Sequence, residues 1–170
     1  MRLDLLVLGD PIGKGRPRFA RATGRTYTPA PTREWEGAAR AEIARQLPPG
    51  WTPMDGAISV WITALYRRPQ RMICSHTSGR CRCEERYPQG RRLPYASRPD
   101  GDNVEKLVWD TLQQAGVMRD DAQVTDHGAR HRYVAVSEAP RVEVVVVWGA
   151  ELGRLPWPPD AGKDDDGRDE

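Results

Sequence analysis

Lysine is nearly missing from this chain. Of its 26 basic residues only Lys14, Lys106 and Lys163 are lysines, and the other 23 are arginines. Wherever a generic positive charge suffices the sequence writes arginine, so each lysine marks a place where a compact ammonium has its own reason to be. Cysteine is as scarce. Cys74, Cys81 and Cys83 lie within ten residues of one another, and an odd, clustered set with no secretion signal argues against a disulfide framework. No apolar run approaches the roughly 20 residues that a membrane helix needs. The first ten residues, MRLDLLVLGD, are too short and too acidic for a signal peptide and alternate like a strand. A cytoplasmic location is the expectation. Internal repeats and coiled-coil heptads are absent too.

What is present suits one domain with long loops: 170 residues, 38% hydrophobic, with 16 glycines and 15 prolines. Residues 1–150 read as that domain, and 151–170 as a Pro-containing, acidic tail whose composition is that of a disordered segment. From Asp160 to Glu170 six acids face two bases, so the tail carries −4 and the remainder +6 of the overall +2. A basic body of this kind points to nucleic acid.

Leu3 to Leu8 predicts a strand, apolar enough to be central. The loop that follows, from Gly9 to Phe19, has glycines but no Gly-Lys-Ser/Thr, so it is not a nucleotide-binding P-loop. It is a basic segment, and Lys14, Arg16 and Arg18 are candidates for DNA phosphate contact. Thr32 is the expected N-cap of a helix running to about Leu47, with Trp35, Ala39, Ile43 and Leu47 as its apolar stripe. Ala57 to Tyr66 alternates as a strand whose second face, Ser59, Trp61, Thr63 and Leu65, calls for a covering helix or partner subunit.

Arg67 to Arg98 predicts a long irregular insert with nine arginines against Glu84 and Glu85. It contains Cys74, His76, Cys81 and Cys83, a set with the chemistry of a structural zinc site but tighter spacing than Cys-x2-Cys pairs. Thiols without metal are the plainer expectation. Ala122 to Tyr133 and Arg141 to Trp148 predict two further strands. On the first, His127, Arg130 and His131 could face a substrate, but an exposed strand face is the plainer expectation.

The chemistry concentrates between Arg98 and Asp126. Pro99 stops the preceding segment. Asp100 and Asp102 start a helix, Val104, Leu107, Val108, Leu112 and Ala115 form its buried face, and Gly116 ends it. Asp102, Lys106 and Asp110, four apart, share the other side. Asp120 and Asp121 follow in a short loop. One Asp suffices for capping, so the remaining carboxylates point to a hard divalent cation, Mg2+ or Mn2+, held by oxygen. Lys106 on the acidic face suits a donor to phosphate. Its plain alternative is an i,i+4 ion pair.

The run Asp-Gly-Asp-Asn-x-x-Lys-x-x-x-Asp from Asp100 to Asp110, followed by Asp-Asp-Ala-Gln-Val from Asp120 to Val124, resembles the RusA family of Holliday-junction resolvases. The Lys14–Arg18 segment and Tyr27-Thr28-Pro29 are similar to family segments as well. The resemblance spans roughly Leu3 to Trp148. It implies a small α+β fold, with a mixed sheet and two main helices, that acts as a homodimer on four-way DNA junctions. It also implies divalent-metal-dependent cleavage of opposed strands. By motif, Asp100, Asp102 and Asp121 would bind metal, Lys106 would be the catalytic lysine, and Asp120 a supporting acid. The cysteine-containing insert and acidic tail depart from the family pattern. Two other expectations stand beside this one: a nuclease acting on flaps or forks, and a non-catalytic, zinc-stabilised nucleic-acid binder.

Overall fold

The computed structural model describes residues 1–22, 24–75 and 82–152. The last strand, β7 (Arg141–Trp148), lies inside the main sheet beside its central strand. Its valines are β-branched and fit a pleated surface; Val142, Val144 and Val146 are buried on one face, and Val147 on the other, where Val145 is half-buried. It pairs antiparallel with β1 (Arg2–Leu8) on one side and with β4 (Ile58–Tyr66) on the other. Strand β4 then pairs in parallel with β6 (Val124–Tyr133), and the two-residue β5 (Leu93–Pro94) closes that edge. The sheet order is β1-β7-β4-β6-β5.

The structure thus puts β1 at an edge, where its hydrophobicity predicted a central strand. What distinguishes it is alternation: Leu5 and Val7 are buried while Leu6 and Leu8 are exposed. Its open backbone edge is covered by one side chain. Gln46 accepts from the Leu6 N–H at 2.8 Å and donates to the Leu6 carbonyl at 2.7 Å, as a neighbouring strand would.

Gln46 ends α1 (Ala30–Gln46). Ala39 and Ile43 of its stripe are buried, with Trp35 and Leu47 packed against the core. The expected cap is corrected. Pro29 is the N-cap residue, and Thr32 lies buried inside the first turn. Its Oγ1 accepts instead from the Gly15 N–H at 3.2 Å, which ties the basic loop to the helix.

The segment from Arg67 to Arg98 is less irregular than predicted. Besides β5 it has a helical turn, α2 (Cys83–Arg86). Buried Arg68 holds it down, donating from Nε to the Val134 carbonyl at 2.6 Å and from Nη2 to the Arg91 carbonyl. Gln89 receives the Cys74 N–H at 3.0 Å and donates to the carbonyls of Met72 and Tyr87. Cys74 is half-buried. His76, Cys81 and the Cys83 side chain lie outside the described residues, as does the tail beyond Leu152. The basic loop runs into a hairpin that the sequence pattern does not predict, β2 (Arg18–Ala20) with β3 (Arg25–Tyr27).

Candidate active site

Helix α3 (Gly101–Gln114) carries the site. Val104, Leu107, Val108, Thr111 and Leu112 are buried along it, so the helical period leaves Asp102, Lys106 and Asp110 on the outward side. Gly116, at φ +75°, turns the chain away after the last turn.

The helix crosses β6 in antiparallel order. Gly101 lies against His131: a Cβ added there would stand 3.1 Å from His131 Nε2. One turn on, Glu105 Oε2 is 2.9 Å from His127 Nδ1, and Trp109 meets the same ring edge-on at 4.9 Å. His127 and His131 pair in register with Val60 and Ala64. They therefore share the side of the sheet that faces α3, where His131 is half-buried, against expectation, while His127 stays exposed as expected. Arg130, one residue off in period, belongs to the opposite face.

His131 is the floor of the helix start. Its Nδ1 is 2.9 Å from the Tyr66 hydroxyl, and its Nε2 is buried with no hydrogen-bond partner in the described structure. Burial lowers its pKa, with Glu105 opposing and Arg132 adding to the shift. Tyr66 stacks on Tyr95 at 3.6 Å, and the Tyr95 hydroxyl donates to the Arg98 carbonyl. Burial pushes the Tyr66 hydroxyl well above the ordinary tyrosine range. An aromatic stack thus supports the Arg98–Asp100 entry to α3. The sequence offers Tyr66 and Tyr95 as DNA contacts and does not join them to His131, because only the parallel pairing of β4 with β6 brings the three together.

Asp100 is the N-cap residue of α3, yet its side chain makes no capping hydrogen bond. Its carboxylate is left for something else. It lines a hollow of about 530 Å³ together with Lys14, Arg16, Arg98, Pro99 and Asn103. Arg16 and Arg98 beside that carboxylate make a cradle for an anion, with a hard oxygen donor in its wall. The basic loop is fastened there. The Lys14 N–H donates to the Asn103 carbonyl at 3.0 Å, and a Cβ at Gly13 would stand 2.6 Å from Pro99 Cβ, so only glycine fits that crossing. The Lys14 ammonium is paired with Asp110 across the outer face of α3. Glu36 of α1 is near both: burial raises its pKa, Asp110 adds to the rise, and Lys14 opposes it.

Asp102 and Lys106 are exposed on that face, with Lys106 Nζ 3.4 Å from Asp102 Oδ2. Asp120 and Asp121 lie elsewhere. Asp120 caps a short 3-10 turn, accepting from the Ala122 N–H at 2.8 Å, and Gln123 completes a capping box. Gln123 also donates to the carbonyls of Met54 and Gly56. The turn is held to the C-terminal end of α3, where Gln113 Nε2 donates to the Arg119 carbonyl at 3.0 Å. Asp121 therefore stands at the end of the helix opposite Asp100 and Asp102, on the order of 20 Å away at 1.5 Å per residue. Among the described residues no three His, Cys, Asp or Glu side chains gather as an ion site within one chain. Two carboxylates flanking one glycine are oxygen donors suited to a hard cation. Within a single chain the third is not beside them.

The sequence profile described as Endodeoxyribonuclease RusA matches residues 9–147, most of the chain. The chain is also 30% identical over 145 residues to "Uncharacterized protein YqaN" of Bacillus subtilis (strain 168), an alignment covering 85% of this chain and 94% of that one.

Proposed function

Because this chain belongs to the RusA family of endodeoxyribonucleases, we propose that it hydrolyses phosphodiesters at branch points in DNA, resolving four-way junctions in recombination and repair. The observation that carries this reading is the Asp100 carboxylate, unspent on capping, set in a hollow walled by Lys14, Arg16 and Arg98. A strand's phosphates would lie along those cations. Asp100 and Asp102 would hold a divalent ion, with Mg2+ or Mn2+ suiting the oxygen donors. Asp121 would complete the set. When bound, such an ion supplies the charge that activates water and stabilises the phosphorane-like transition state.

The chain's own groups do the rest. Lys14, Arg16 and Arg98 orient the phosphodiester. Lys106 presents an ammonium beside Asp102 and would donate to the phosphate or to the departing 3′ oxygen, offsetting charge as the P–O bond breaks. Asp120 keeps the turn that carries Asp121 in shape. The separation of Asp121 from Asp100 and Asp102 supports a homodimer in which the partner subunit brings that third carboxylate. No helix among the described residues is long and apolar enough to cross a membrane. A fork or flap as substrate would use the same cradle. The cationic hollow and the acidic turn favour catalysis over a binder without cleavage, because bare carboxylates repel DNA unless a cation intervenes.

The test uses matched four-way junction, fork and duplex DNAs with and without Mg2+, on the unaltered chain and Asp102→Asn. Expected are Mg2+-dependent junction cleavage by the first, and binding without cleavage by the second. Full Mg2+-dependent cleavage by folded Asp102→Asn would remove this site from the chemistry.

A further inference from the structure

The β2–β3 hairpin carries the chain's single phenylalanine, Phe19, which is 64% exposed, and Tyr27, 47% exposed. From Pro11 to Arg33 the sequence contains no acidic residue, against Lys14, Arg16, Arg18, Arg21, Arg25 and Arg33. The hairpin forms its own two-stranded sheet, separate from the five-stranded one. Its register puts Phe19 with Thr26 on one face, and Arg18 with Tyr27 on the other. Its near end is fastened where the cationic hollow opens, through Lys14 to Asn103 and Gly15 to Thr32.

A large apolar ring held out in water among arginines adds nothing to the core. Its chemistry fits a flat apolar face embedded in negative charge. A nucleobase beside its phosphates is such a surface, and every base has one. In paired duplex those faces are stacked against one another. They are free where strands exchange or separate. We infer that Phe19 stacks on an unpaired or unstacked base at the DNA branch point while the hairpin arginines hold the adjoining phosphates, so that the hairpin selects branched over duplex DNA. The inference rests on the proposed function and names the feature by which that same site would choose its substrate. The two faces divide the work: phosphate contacts set overall affinity and its salt dependence without distinguishing structures, whereas ring stacking supplies the discrimination.

The experiment is equilibrium binding in chelator to a four-way junction with 2-aminopurine at the branch point, and to a fully paired duplex of the same length. It compares the unaltered chain with Phe19→Ala, Phe19→Trp and Arg18→Ala. Phe19 is exposed enough that folding survives its replacement, which thermal melting verifies. Phe19→Ala is expected to lower the junction-over-duplex affinity ratio about tenfold with an unchanged salt slope. Phe19→Trp keeps the ratio and still perturbs the 2-aminopurine fluorescence. Arg18→Ala weakens both complexes alike and reduces the salt slope by about one. An unchanged ratio for Phe19→Ala, in a chain that still prefers and cuts junctions, overturns the hairpin's role and leaves the proposed function standing. If the unaltered chain binds duplex as well as junction but cuts junctions, this inference alone fails; if it neither prefers nor cuts junctions, the proposed function fails with it.

Discussion

Lys106 and Asp102 are both exposed, and their 3.4 Å pairing is of the kind that contributes little to stability. If that pair were the whole role of Lys106, Lys106→Arg would be nearly silent, since charge and helix propensity are kept. A donor aimed at phosphate is different, because the planar guanidinium cannot put its charge at the same point. Single-turnover cleavage at saturating Lys106→Arg is expected to slow by about 100-fold or more, with junction affinity and melting temperature nearly unchanged. A rate within a few-fold of the unaltered chain's would return Lys106 to the ion-pair role. A second residue-scale prediction concerns Glu138, which receives Arg92 at 2.6 Å, Arg141 at 3.0 Å and the Ala135 N–H at 3.0 Å. The Arg92 hydrogen bond, chiefly, holds its carboxyl down to about 2, from an ordinary 4.5. A depressed pKa contributes stability that is present above the ordinary value and lost as pH falls toward the folded one. Glu138→Gln is therefore expected to lower the melting temperature at neutral pH, and the difference should shrink between about pH 4.5 and pH 2. A constant difference across that window would rule out charge as the cause.

At the scale of the element, α3 depends on the closeness of its first turn to β6. Replacing Gly101 with alanine gains some helix propensity, roughly 0.5–1 kcal/mol. It also drives a methyl to 3.1 Å from His131 Nε2, and that ring is held from behind by Tyr66. Overpacking of this sort costs about 1–3 kcal/mol, so the clash outweighs the propensity gain. Gly101→Ala should destabilise the chain by about 1 kcal/mol and impair cleavage by displacing Asp100 and Asp102. In a His131→Ala background the same substitution should become neutral or stabilising, because its obstacle is gone. Denaturant unfolding of the four chains of this cycle gives the coupling directly. Additive effects would mean that His131 does not set the position of the turn.

At the scale of the whole molecule, the decisive fact is that Asp121 and the Asp100–Asp102 pair occupy opposite ends of α3. A homodimer with a shared site makes a sharp forecast. Asp102→Asn and Asp121→Asn should each be inactive alone. Mixed and allowed to exchange subunits, they form heterodimers in which one site collects both defects and the other none. Cleavage should recover to roughly a quarter of the unaltered level, following random pairing of two chains in which half the dimers keep one intact site. If all the carboxylates act within one subunit, every site in the mixture keeps a defect and nothing recovers. Sedimentation tests whether the unaltered chain and each variant are dimers.

The sequence by itself determined the elements whose pattern is local. Helix α3 follows from the spacing of Val104, Leu107, Val108 and Leu112, and β7 from its valines, whose bounds Arg141–Trp148 are those the pattern predicts. The place of Lys106 on the outward side of α3 and the family were legible in the same way, because a short motif keeps its residues within a turn or two of helix. Tertiary structure decided everything that depends on which strand lies beside which. Strand β1 lies at an edge, and Gln46, forty residues away, satisfies its Leu6 backbone. Lys14 belongs to Asp110 although 96 residues separate them. His131 underlies Gly101 only because β6 runs parallel to β4 and antiparallel to α3. The carboxylates were adjacent on paper through one short loop, but the loop follows a helix on the order of 20 Å long, and a rigid helix holds apart what a motif lists together.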